Sequence, residues 1–88
     1  MATRTVEMLN KRGLHARASA RFVTLASTLP VAIEVEKDGS KVCGTSIMGL
    51  MMLAAAPGAV VRLAATGREA EAAVAALAKL IECKFDED

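Results

Sequence analysis

VAIEVEKDGSKVC, residues 31–43, decides the fold. Val31, Ile33 and Val35 alternate with Ala32, Glu34 and Glu36, the period-2 pattern of a strand with one covered face and one wet face. Lys37-Asp38-Gly39-Ser40 then supplies hairpin chemistry, because Asp-Gly adopts the positive φ that a tight turn needs, and Lys41-Val42-Cys43 returns as a short partner strand. A hairpin with one apolar face requires a second layer to cover it.

The rest of the chain supplies that layer. Thr3 to Leu9 reads as a further strand with Val6 and Met8 on one face, and Ala59 to Thr66 as another with Val61, Leu63 and Ala65 facing in. Three helices fill the gaps. In the first, Ser19, Phe22, Val23, Ala26 and Leu29 form an apolar stripe, with Arg17, Arg21, Thr24 and Thr28 opposite and Pro30 as the stop. A short second helix starts near Ser46, between Gly44 and the Pro57-Gly58 breaker. The third runs from Arg68 to about Lys84, with Ala70, Ala73, Val74, Leu77, Leu80 and Ile81 as its stripe. The order β-α-β-β-α-β-α predicts an α+β fold, a two-layer sandwich with the helices on one side of a mostly antiparallel sheet.

Residues 1–88 are expected to form a single domain. A formal net charge of +1 gives no field for nucleic acid, and Phe22 and Phe85, the only aromatic residues, make no platform for stacked bases. No nucleic-acid partner is expected. Without Trp or Tyr, sugar binding by aromatic stacking is also disfavoured. Cys43 and Cys83 are far apart and lack metal-ligand or C-x-x-C spacing, so no metal site is predicted and both are expected to be buried, reduced thiols. No segment is long enough to span a membrane, and MATRTVEML carries no apolar signal core, so a cytoplasmic protein is expected. The acidic tail Asp86-Glu87-Asp88 is expected to be a solvated end.

The only histidine lies in NKRGLHARASARFV, residues 10–23. Gly13 suits a tight turn, which puts His15 at or just before a helix N-terminus. The first amides of a helix lack intrahelical partners, so Ala16, Arg17 and Ala18 are candidates to present donors to an anion beside the imidazole. The same field disfavours imidazolium and favours a neutral, nucleophilic ring. Arg17 adds a guanidinium whose fork fits phosphate oxygens, and Arg21 follows one turn later. This grouping suits transient phosphorylation of His15 itself, although an isolated histidine also serves as an ordinary surface or capping residue. The sequence has no G-x-x-x-x-G-K-[ST] loop, no clustered carboxylates for magnesium and no second histidine. If His15 takes a phosphoryl group, another protein is therefore expected to deliver it, and no cofactor is expected.

SIMGLMMLAAA, residues 46–56, is apolar nearly all round. With Leu50 and Leu53 facing the core, some of Ile47, Met48, Met51 and Met52 are left facing water. Any single methionine reads as core filler, but an exposed group of them suits docking to several partners in turn. His15, Arg17, Arg21 and this patch are expected to form one docking face. Ser46 reads first as an N-cap worth about 0.5–2 kcal/mol relative to alanine. A phosphate there would stabilise the helix start while setting negative charge beside the apolar patch.

Gly13-Leu14-His15-Ala16-Arg17 resembles the active-site motif of the HPr phosphocarrier family of the bacterial phosphoenolpyruvate phosphotransferase system. Length, element order and TSIMGLMML at 45–53 extend the likeness over essentially the whole chain. The resemblance implies an open-faced β-sandwich with three helices over a four-stranded antiparallel sheet. It also implies that His15 accepts a phosphoryl group on Nδ1 from enzyme I and passes it to a histidine on an enzyme IIA domain, with Arg17 assisting. For Ser46 it implies modification by an ATP-dependent HPr kinase/phosphorylase. Such a carrier is a substrate of other enzymes rather than an enzyme, and a monomer is its simplest state.

One residue departs from the pattern. Sugar-transport members usually continue with proline where this chain has Ala18, a change worth about 0.4–1 kcal/mol through the freedom of the unfolded chain. Phosphotransfer is expected to survive it. LHARASARFV resembles regulatory, nitrogen-type carriers more, which leaves the downstream acceptor open. Two other classes compete: an interaction module without onward transfer, and an acylphosphatase-like hydrolase. The hydrolase needs an arginine-bearing phosphate loop with an asparagine to orient water, and Asn10, the single asparagine, lies outside any such loop.

Overall fold

A computed structural model describes residues 1–10, 12–53 and 56–86. Its elements are β1 (Ala2–Glu7), α1 (Ala16–Ser27), β2 (Ala32–Lys37), β3 (Ser40–Cys43), α2 (Ile47–Met52), β4 (Val60–Thr66) and α3 (Ala70–Glu82), followed by a short turn over Lys84–Asp86. The strands form one antiparallel sheet in the spatial order β1-β4-β2-β3. Order, sheet and helix count agree with the open-faced sandwich read from the sequence.

The hairpin that decides the fold is built as its residues dictate. Lys37 pairs with Ser40, and the two residues between them, Asp38 at φ 51° and Gly39 at φ 85°, both take the positive φ of a type I′ turn. Ile33, Val35, Val61, Leu63, Ala65 and Val6 are buried on one face of the sheet. On the other face Glu36 and Arg62, opposite one another in register, make an ion pair of 3.6 Å. Helix α3 packs across β1 and β4, burying Ala73, Val74, Leu77, Ala78 and Ile81. Helix α1 contributes Phe22 and Ala26 and packs against both other helices. It ends where Thr28 turns its hydroxyl to the Leu25 carbonyl at 2.7 Å, two residues before Pro30.

Three expectations need correction. The thiols are free but not buried: Cys43 and Cys83 are both exposed. Cys43 shares the parity of Lys41 and sits opposite Glu34, so strand alternation sends it to the wet face. Cys83 is the C-cap of α3, past the last buried stripe residue, Ile81. Helix α3 is shorter than read, and the difference matters to the core. Beyond it Lys84 and Phe85 take φ of 56° and 55°, and this left-handed reversal carries Phe85 back into the interior, where it is fully buried. Among the stripe residues, Val23, Leu29 and Leu80 are half-buried rather than buried. The expected solvated tail falls largely on residues 87 and 88, which lie outside the described residues.

Candidate functional site

His15 is the N-cap of α1, with extended backbone at φ −78° and ψ −177°. Its carbonyl accepts the first intrahelical bond, from the Ser19 amide at 2.8 Å, so the amides of residues 16–18 lie ahead of the helical ladder. The ring takes up one of them. The Arg17 amide donates to Nδ1 at 3.3 Å, an imidazole nitrogen acting where a serine or aspartate oxygen usually caps. An accepting Nδ1 carries the lone pair, and in the neutral ring the proton then sits on Nε2. Nδ1 thus turns its lone pair toward an amide at the positive end of the helix.

The ring is half-buried, Ala16 and Arg17 are exposed, and Ala18 is fully buried as the third residue of the helix. Two of the three amides expected to meet an anion therefore belong to exposed residues. Arg17 and Arg21 line an open groove of about 510 Å³ with Ala20, Thr24, Leu25, Thr28 and Leu80, a lining that includes neither His15 nor the residues of α2. Nothing in α1 opposes their charge, since the helix has no acidic residue.

Ser46 is the N-cap of α2, and its Oγ accepts the Gly49 amide at 3.0 Å. Leu50 and Leu53 are buried, while Ile47 and Met51 are 41% exposed, Met48 70% and Met52 79%. Because α2 packs against α1, this apolar patch lies on the element next to the one that holds His15.

Sequence reasoning missed two residues at the site. Asn10 and Ser19 are fully buried polar residues whose side chains hydrogen-bond to the backbone just before His15. Their burial also removes the hydrolase reading, because an asparagine in the interior does not orient a substrate water. Serine inside the apolar stripe of α1 was the available signal. No group of three or more metal-ligating side chains occurs among the described residues.

The sequence pattern of the family described as PTS HPr component phosphorylation site matches residues 2–83. The chain belongs to the HPr family. HPr of Neisseria meningitidis serogroup A is 47% identical over 87 residues, covering 99% of this chain and 98% of the relative. Phosphocarrier protein NPr of Shewanella violacea is 38% identical over 84 residues, covering 96% and 92%. The crystal structure of HPr from Thermoanaerobacter tengcongensis superposes with a TM-score of 0.95 at 50% identity, covering all of this chain and 99% of that one. A second structure of that organism's HPr, a dimer, matches at a TM-score of 0.76 over 97% of this chain and 98% of that one. Membership makes the chain a phosphocarrier-type component of the phosphotransferase system, with HPr and NPr relatives both close in sequence.

Proposed function

We propose that this chain relays a phosphoryl group: His15 Nδ1 accepts it from phosphorylated enzyme I and gives it to a histidine on an enzyme IIA domain. The observation that carries the reading is the contact between Nδ1 and the Arg17 amide at the start of α1. A phosphoryl group bound to Nδ1 takes over as acceptor, and its oxygens lie beside amides of residues 16–18 that the helix leaves unused. The Arg17 guanidinium offers a fork of donors to the same oxygens, stabilising charge while the group is held or handed on. The chain supplies the resting place and its partners supply the chemistry, so it is a substrate of both rather than an enzyme.

Arg21 and the exposed Ile47, Met48, Met51 and Met52 form the docking face, adaptable enough to meet a donor and then an acceptor. A carrier whose docking face must stay open works as a monomer in the cytoplasm. Ser46 is the regulatory site: phosphate on its Oγ, from ATP and an HPr kinase/phosphorylase, sets a dianion beside the apolar patch and repels acidic partners.

Incubation with phosphoenolpyruvate and enzyme I tests the reading. Acid-labile phosphate is expected on the wild type and absent from His15→Ala; full labelling of that variant refutes the assignment. Mixing the labelled chain with enzyme IIA domains of the same cell then identifies the acceptor. Labelling without transfer to any of them favours the interaction module over the relay.

A further inference from the structure

Ser19 and Asn10 are the two fully buried polar residues among the described ones, and the side chain of each donates a hydrogen bond to a carbonyl of the two residues before His15. Burying a polar group costs free energy unless it is paired, so two such groups aimed at one dipeptide are a constraint rather than a filling of space. Ser19 acts twice. Its Oγ donates to the Leu14 carbonyl at 3.3 Å and its amide donates to the His15 carbonyl at 2.8 Å. These two carbonyls belong to the peptide planes on either side of the His15 Cα, and planes held on both sides fix φ and ψ between them. Asn10 holds the plane before these, its Nδ2 donating to the Gly13 carbonyl at 2.8 Å, where Gly13 takes a left-handed φ of 64°. The Leu14 side chain, itself buried, pins the same segment to the core.

We infer that Ser19 and Asn10 are positioning residues for phosphoryl acceptance at His15, holding its backbone so that Nδ1 faces the Arg17 amide; this rests on the relay reading above. Neither side chain touches the reacting atoms. They act by fixing where the ring's lone pair points, and a reacting atom misplaced by an ångström loses rate steeply.

The test uses the full-length chain with Ser19→Ala, Asn10→Ala and the hydroxyl-retaining Ser19→Thr. All are assayed as substrates of enzyme I with phosphoenolpyruvate, below their unfolding transitions. The expected result for Ser19→Ala and Asn10→Ala is a fall in kcat of roughly tenfold or more at nearly unchanged KM, because the docking patch is untouched. In the unphosphorylated variants the Arg17 amide proton and the His15 Nδ1 nitrogen resonances move, and Ser19→Thr recovers both rate and resonances towards wild type. Should one alanine variant fail to fold, the other reads the same quantities. A wild-type chain that takes no label brings down the relay reading and this inference with it. A wild type that labels, beside folded variants with unchanged kcat and unmoved resonances, overturns the positioning role alone, as does a change confined to KM.

Discussion

The Ser46 hydroxyl oxygen lies 3.0 Å from the Gly49 amide, so the residue proposed for regulation is the cap of α2. Ser46→Ala removes the cap and is expected to lower stability by about 1 kcal/mol in urea denaturation. On the proposed regulatory role, labelling from ATP and HPr kinase/phosphorylase is expected on the wild type and absent from this variant, while labelling of His15 stays near wild type. Ser46→Asp retains a capping oxygen and adds charge beside Met48 and the rest of the patch. It is expected to keep most of the stability and to raise KM for enzyme I. Equal KM for serine and aspartate chains would remove the charge argument.

Gly44 and Ile33 approach as closely as a missing side chain allows. The Gly44 amide donates to the Ile33 carbonyl at 2.8 Å, and a Cβ on Gly44 would fall 2.6 Å from Ile33 Cγ2. Gly44→Ala must therefore push β2 and the entry to α2 apart, at an expected cost of about 1–3 kcal/mol in thermal or urea unfolding. Gly39→Ala is a useful contrast, since a Cβ there meets nothing within 4 Å and the strain comes from its φ of 85° alone.

Cys43 Sγ lies 3.1 Å from Thr45 Oγ1, and the side chain and then the backbone of Thr45 hold the thiol below its usual range. Thiolate is the alkylated form, so alkylation of Cys43 is expected to switch on at lower pH than for an ordinary thiol. The direction follows from the sign: a depressed thiol pKa means the charged form appears earlier as pH rises. Thr45→Val removes the larger cause and should move the pH–rate curve for Cys43 upward, as followed by mass spectrometry with iodoacetamide. An unmoved curve would show that the hydroxyl contributes nothing.

Much of this was legible in the residues, and the omissions have physical causes. The strand alternation of Ile33 and Val35, the Asp38-Gly39 turn and most of the stripe of α3 are local patterns, set by residues close together in sequence. Cys43 departs from the preference of cysteine for the interior because the parity of its own strand decides its face. The burial of Phe85 is not legible in the sequence because it depends on a left-handed reversal at two non-glycine residues, which no propensity announces. His15 was found as a helix start, but Asn10 and Ser19 were not, because their carbonyl partners are fixed only once the loop has closed. Ala18 sits ahead of the first helical hydrogen bond, where proline would cost no bond, so its substitution is compatible with the helix start as built.

The relay through His15 is tested most directly by ³¹P and ¹H–¹⁵N NMR on the uniformly ¹⁵N-labelled chain after incubation with phosphoenolpyruvate and enzyme I. The expected result is one phosphoryl group on His15 Nδ1, with the Arg17 amide, now 3.3 Å from that nitrogen, among the resonances that shift most. A phosphoryl group on Nε2 or on any other residue, or a spectrum unchanged by the donor, would contradict it.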